Sequence, residues 1–141
     1  MILETRDKRV ISDTRMEKAR EFLLDARATF EERRYRTSVN RAYYAALNAV
    51  RAILILEGAN PETHDGAVTL LSLRFVKTGV LPVDVVKKFK VLLSRRTDVD
   101  YGDFDTTGAV EAEDSLRNSE EIFQMIDSAR KKIIADLENS P

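Results

Sequence analysis

Apolar residues recur at spacings of three and four along most of the chain, and no stretch alternates with period two for long enough to make a strand. Met16, Ala19, Leu23, Ala26 and Phe30 form one stripe; with Thr14-Arg15-Met16-Glu17 as a capping box, they predict a first helix over about 14–32. Val39, Tyr43, Ala46, Val50, Ile53 and Leu54 predict a second from about 35 to Gly58, where glycine supplies the stop before Asn60-Pro61 breaks the chain. Thr63 is the expected N-cap of a shorter helix carrying Val68, Leu71 and Phe75 as far as Thr78-Gly79. Pro82 suits a first helical turn, and Val85, Phe89, Leu92 and Leu93 carry a fourth helix to about Arg96. The segment TDVDYGDFDTTG, dense in Asp, Thr and Gly, predicts a loop with Tyr101 and Phe104 tucked against the bundle. After Gly108, the series Ala112, Leu116, Ile122, Phe123, Ile126, Ile133 and Leu137 predicts a long closing helix. The predicted fold is all-α, an up-and-down bundle of four to five helices.

Composition narrows the chemistry. The 141 residues suit one domain, with its core over about 14–138. The longest aliphatic run, Ala52 to Leu56, falls far short of the roughly 18 apolar residues of a membrane span. The opening MILETRDKRV has no apolar secretion-signal core, so the expectation is a soluble cytoplasmic protein with no membrane role. With no cysteine and one histidine, disulfides, thiolate nucleophiles and conventional zinc sites drop out, and neither a metal nor a cofactor is expected. Asp98, Asp100, Asp103 and Asp105 do not make a calcium loop. Counted from Asp98, Asp103 falls where glycine is needed and Ala109 where a bidentate glutamate belongs.

The net charge is −1, but its distribution is uneven. Five arginines and no acid lie between Arg33 and Leu56, while nine acids and one arginine lie between Asp98 and Glu121. That asymmetry fits an anion-binding face, a self-complementary interface or an internally paired surface. Arg33, Arg34 and Arg36 around Tyr35 make either a solvated turn or a phosphate patch with a stacking ring. Lys87, Lys88 and Lys90 spread around their helix instead of forming a stripe. In the second helix, Arg41, Tyr44, Asn48 and Arg51 fall within an arc of about 80°, opposite the Val39/Ala46/Val50 stripe. Such a face meets water or builds an interface, and its mixture of tyrosine and arginine suits an interface. His64, the only imidazole, opens the third helix as a packing or binding residue, with Arg41 or Tyr44 as its expected neighbours.

The segments RYRTSVNRAYYAALNAVRAILILEG, THDGAVTLLSLRFVKTGVLP and LLSRRTDVDYGDF, in that order, resemble the HEPN domain (higher eukaryotes and prokaryotes nucleotide-binding) in its small stand-alone prokaryotic branch. The resemblance implies a HEPN-like bundle that often forms a homodimer. It also implies a toxin–antitoxin pair in which a minimal nucleotidyltransferase is the antitoxin, with RNA or nucleotide as ligand. Many members are metal-independent ribonucleases built on an arginine and a histidine with four to six residues between them, at the end of a long helix. There an imidazole takes the ribose 2′-hydroxyl proton while arginine stabilises the charge on the phosphorane.

Arg95 and Arg96 occupy the arginine place, but the positions where histidine would follow hold Asp100, Tyr101, Gly102 and Asp103. Asp100 beside two arginines suits an ion pair better than a general base. Tyr101 stands near where the family's tyrosine target of nucleotide transfer would follow that histidine. The candidate catalytic set is therefore Arg95, Arg96, Asp100 and Tyr101, and the candidate binding set is Arg41, Tyr44, Asn48, Arg51 and His64. Three functions stay open. The first is a HEPN toxin-like component that binds RNA or nucleotide and, if an enzyme, cleaves RNA without metal. The second is a non-catalytic nucleotide-binding or adaptor module that has lost the histidine, and the third is a plain helical interaction protein.

Overall fold

Among the described residues five α-helices follow one another: α1 (Thr5–Glu31), α2 (Tyr35–Ile55), α3 (His64–Leu71), α4 (Asp84–Tyr101) and α5 (Ala109–Glu138). The computed structural model describes residues 3–103 and 106–139, so Phe104 and Asp105 of the expected loop lie outside it. The bundle expected from the apolar periodicity is present, with no strand among the described residues.

Two helices run further than their stripes suggested. α1 begins at Thr5 and not at a cap on Thr14, whose hydroxyl donates to the Val10 carbonyl one turn back at 3.0 Å. The stripe does extend upstream, but through a serine: Ser12, four residues before Met16, is fully buried and donates to the Ala52 carbonyl at 2.6 Å. α4 continues through the expected loop as far as Tyr101. Two of its polar residues find partners inside the helix, Thr97 donating to the Leu93 carbonyl at 2.9 Å and Arg96 pairing with Asp100 one turn on at 2.8 Å. The stops at Gly58 and Gly79 are as expected, both in the left-handed conformation at φ +80°. α3 keeps its course past Leu71 through one widened π-helical turn, Ser72–Val76, which buries Phe75.

α2 and α5 form the central pair; α1 and α4 each pack on both of them and hardly on each other, so they take opposite flanks. α2 can sit centrally because alanine lines it. Ala42, Ala46, Ala49 and Ala52 are wholly buried and let neighbouring helices approach closely. The buried hydroxyls tie helices together instead of lying unsatisfied. Ser38 donates to Ala26 of α1 and Ser119 of α5 donates to Ala42 of α2, both at 2.7 Å. Arg130 of α5 reaches across to Asp13 of α1 at 2.6 Å.

Thr63 caps α3 as its sequence position predicted, its hydroxyl accepting the Gly66 N–H at 2.9 Å. Thr63→Ala should cost about 1 kcal/mol. A thermal melt should register that loss, and an unchanged midpoint would show that packing alone holds the start of α3.

Candidate functional site

Because α1 and α4 stand apart, the outer face of α2 forms the floor of a seam between them. The arc Arg41, Tyr44, Asn48 and Arg51 lies on that floor, and all four residues are half-buried and not freely solvated. Arg41 leans toward α1, its guanidinium carbon 5.7 Å from the centre of the Phe22 ring, and Phe22 in turn lies 5.9 Å from Tyr44. Asn48 donates to the Tyr44 carbonyl of its own helix at 2.8 Å.

α4 contributes Arg96. Its guanidinium donates to the Tyr44 hydroxyl at 3.0 Å and lies 5.6–5.7 Å from the ring centres of Tyr43, Tyr44 and Tyr101. Its Nε is 2.8 Å from an Asp100 oxygen, a close ion pair not aligned as a hydrogen bond. Burial works against the charge on Arg96, but Tyr44 and Asp100 outweigh it and hold the group above its ordinary range. Asp100 also accepts from the Asn40 amide at 3.4 Å, and Tyr101, the last residue of α4, is 72% exposed. Tyr101 is thus not tucked against the bundle as expected; the extra helical turn carries it outward.

Arg95 takes no part in this arrangement. Adjacent helical residues diverge by about 100°, and Arg95 turns to α5. There it pairs with Asp114 at 2.5 Å and donates to Ser115 at 3.2 Å and the Glu111 carbonyl at 3.4 Å. It also lines a separate cavity of about 470 Å³ whose rim carries Asp98, Asp103 and Glu111. The hydrogen bond and charge of Arg95, helped by Arg117 and opposed by burial, hold the Asp114 carboxyl below its ordinary 3.8. A carboxylate depressed in this way stabilises the fold above its unfolded pKa and loses that contribution as pH falls through the folded value. Acid unfolding of Asp114→Asn should therefore show a weaker pH dependence below about pH 4 than wild type. Superimposable acid transitions would count against the pair.

His64, from the start of α3, closes the seam near Arg51. Its neighbour is Tyr43, not Arg41 or Tyr44: the Tyr43 hydroxyl hydrogen-bonds Nδ1 of His64, and the rings meet edge-on with centres 5.5 Å apart. Burial, then the positive charges of Arg96 and Arg51, push the imidazole below its ordinary 6.5, while Asp65 pulls weakly the other way. Burial keeps the Tyr43 hydroxyl protonated far above the usual range. With that proton given to Nδ1, neutral His64 carries its own on Nε2, a donor.

Arg51 completes the set. No carboxylate pairs with it among the described residues, and its Nε is buried without a hydrogen-bond partner. Arg15 of α1 crowds it, donating to the Arg51 carbonyl at 3.2 Å and to the Asn60 side chain at 3.0 Å. Burial and the charge of Arg51 both lower the Arg15 pKa. A half-buried guanidinium with an orphaned donor, beside a second guanidinium and an imidazole, is an electrostatic environment that a bound anion would relieve.

Sequence reasoning missed two participants. Tyr43 read only as core, which it also is; a wholly buried tyrosine needs a partner for its hydroxyl, and that requirement was the available signal. Arg15 read as part of a helix start and left no such signal. A groove of about 850 Å³ between α1, α4 and α5 lies on the opposite face. Its charges are mostly paired there, Arg27 with Glu120 and Lys88 with Asp84 and Glu121. Among the described residues no group of three or more acidic or histidine side chains is placed to hold a metal ion, and no helix is long and apolar enough to cross a membrane.

Fold and seam together define a small helical-bundle protein with a half-buried, arginine-lined cleft on its second helix. The chain belongs to the HEPN domain family, whose model matches residues 12–131. It is 30% identical to a UPF0332 protein of Thermotoga maritima over 87% of this chain and 90% of that one. It is 31% identical to a Methanocaldococcus jannaschii protein named "Putative toxin MJ0605", over 84% of this chain and 88% of that one. The crystal structure of TT1696 from Thermus thermophilus shares the fold, with a TM-score of 0.73 at 22% identity over 84% of this chain and 97% of that one.

Proposed function

We propose that this chain is the toxin-like member of a toxin–antitoxin pair with a minimal nucleotidyltransferase, and that it binds RNA or nucleotide by its phosphate in the α2/α4 seam. The observation that carries the binding role is Arg51: a positive side chain with no acidic partner among the described residues, held beside Arg96 and His64. The toxin name of the Methanocaldococcus relative supports the wider role. In this reading a second copy or the nucleotidyltransferase covers the outer seam, and Tyr101 is exposed for modification.

A second reading is a nucleotide-binding module without turnover. The departure on α4 favours it, since Asp100 is held by Arg96 as a counter-ion and no imidazole follows on that helix.

Incubating the purified chain with structured RNA in EDTA separates the two. Retention with cleavage, both lost in Arg96→Gln, supports the first reading; retention without cleavage supports the second. If wild type fails to retain RNA at all, neither stands.

A further inference from the structure

We propose that the seam is built for a phosphate monoester, the end of an RNA strand or a free nucleotide, and not for a phosphodiester inside a strand, with Arg51, Arg96 and His64 as its donors. This rests on the phosphate-binding reading above and specifies its ligand.

Charge matching is the first argument. A diester carries one negative charge, whereas a monoester carries about −1.5 to −2 at neutral pH. Arg51 supplies one positive charge that no carboxylate compensates among the described residues, and Arg96 supplies another that it shares with Asp100. The second charge of a monoester is matched by a proton on His64. Tyr43 and Arg51 of α2, Arg96 of α4 and Asp65 of its own helix face His64, and Arg15 of α1 lies beyond Arg51. Burial, then the charges of Arg96 and Arg51, push the imidazole toward its neutral form. A dianion seated between them reverses the local sign, so His64 takes up a proton and the Tyr43 hydroxyl turns to accept from Nδ1.

The ends of the seam supply the second argument. At the Arg51 end, the Arg15 guanidinium bridges the last turns of α2 to Asn60, closing the path by which a strand would continue. Toward the other end the Asp100 carboxylate, paired with Arg96 and accepting from Asn40, offers a second phosphate no donor, and the nearby Arg41 is turned onto the Phe22 ring of α1. Beside Asp100 the exposed ring of Tyr101 offers a face for one nucleobase, with Arg96 5.7 Å from its centre. The seam thus accommodates a terminal nucleotide with its phosphate inward and its base outward.

The test is fluorescence anisotropy of one short single-stranded RNA, labelled internally, in three forms: 5′-phosphate, 3′-phosphate, and hydroxyl at both ends. Each is titrated in EDTA at pH 6 and pH 8. At pH 6 at least one phosphate-ended form should bind about tenfold tighter than the hydroxyl-ended form, and which one does so identifies the end recognised. Its affinity should weaken about tenfold on going to pH 8, as the shared proton is lost. His64→Gln should abolish that pH dependence and Arg51→Gln the preference for a phosphate end; far-UV circular dichroism checks that both variants are folded. If all three forms bind wild type equally, the inference is overturned and the phosphate-binding reading stands. If none binds, the reading itself falls and takes the inference with it.

Discussion

Replacing Arg96 by alanine is expected to weaken RNA retention by on the order of 10- to 100-fold, the scale of lost charge-assisted hydrogen bonds, whereas Arg95→Ala should leave it within about twofold. The two residues are adjacent, equally charged and equally plausible from the sequence, so the contrast isolates geometry from composition. Arg96 lies in the seam, donating to Tyr44 and ringed by three tyrosines; Arg95 is committed to Asp114 and Ser115 of α5. Arg95→Ala should instead lower the thermal midpoint, because it strips the main partner from a partly buried carboxylate. Arg96→Lys should lose part of the binding, since an ammonium keeps the charge but not the planar fork. Anisotropy titrations paired with thermal melts measure both effects. Equal losses of binding in the two alanine variants would mean that the phosphate does not distinguish the α2 side of α4 from the α5 side.

The largest expected loss of stability comes from Phe89→Ala. Phe89 is fully buried on α4 and stacks on Tyr43 with ring centres 5.7 Å apart and planes 22° from parallel. Removing such a ring costs about 3–5 kcal/mol through lost burial and the cavity left behind. In a domain of this length the midpoint should fall by roughly 10 °C or more. The consequence reaches the seam, because the face of Tyr43 that Phe89 supports belongs to the residue whose hydroxyl holds His64. Below its own melting temperature, the variant should therefore show a His64 ring resonance that titrates closer to pH 6.5, as a loosened imidazole is better solvated. Domain stability is only about 5–15 kcal/mol, so adding the roughly 1 kcal/mol of Thr63→Ala should lower the midpoint of the double variant further still. A Phe89→Ala protein with an unaltered melt would show that the core repacks around the gap.

The number and order of the helices were legible because burial imposes a 3.6-residue period that the chain keeps, and the stops at Gly58 and Gly79 because glycine marks them; the end of α4 was not. What escaped the periodicity were polar residues with buried partners. Ser12 continues the α1 stripe, yet its hydroxyl breaks the apolar pattern, and the bond to Ala52 that permits its burial is a tertiary fact. Thr97, Asp98 and Asp100 looked like loop residues because they usually compete with helical backbone; here Thr97 is satisfied one turn back and Asp100 by Arg96.

In the seam, the α2 arc followed from angular position alone. The seating of His64 on Tyr43 did not. It depends on where the loop after Gly58 delivers α3, and no local pattern encodes that. Arg95 and Arg96, expected to act together, are placed apart for the same kind of reason: one charge found an acid on α5 and the other a counter-ion one turn on in its own helix.

The most direct test of a phosphate seat on α2 and α4 is a nuclear magnetic resonance titration of isotopically labelled protein with a 5′-phosphorylated single-stranded RNA, following arginine side-chain and histidine ring signals. The account predicts that Arg51, Arg96 and His64 shift together and saturate at one ligand concentration, with Arg95 unmoved. Shifts confined to the Arg33–Arg36 turn or to the groove between α1 and α5, with Arg51, Arg96 and His64 silent, would contradict it.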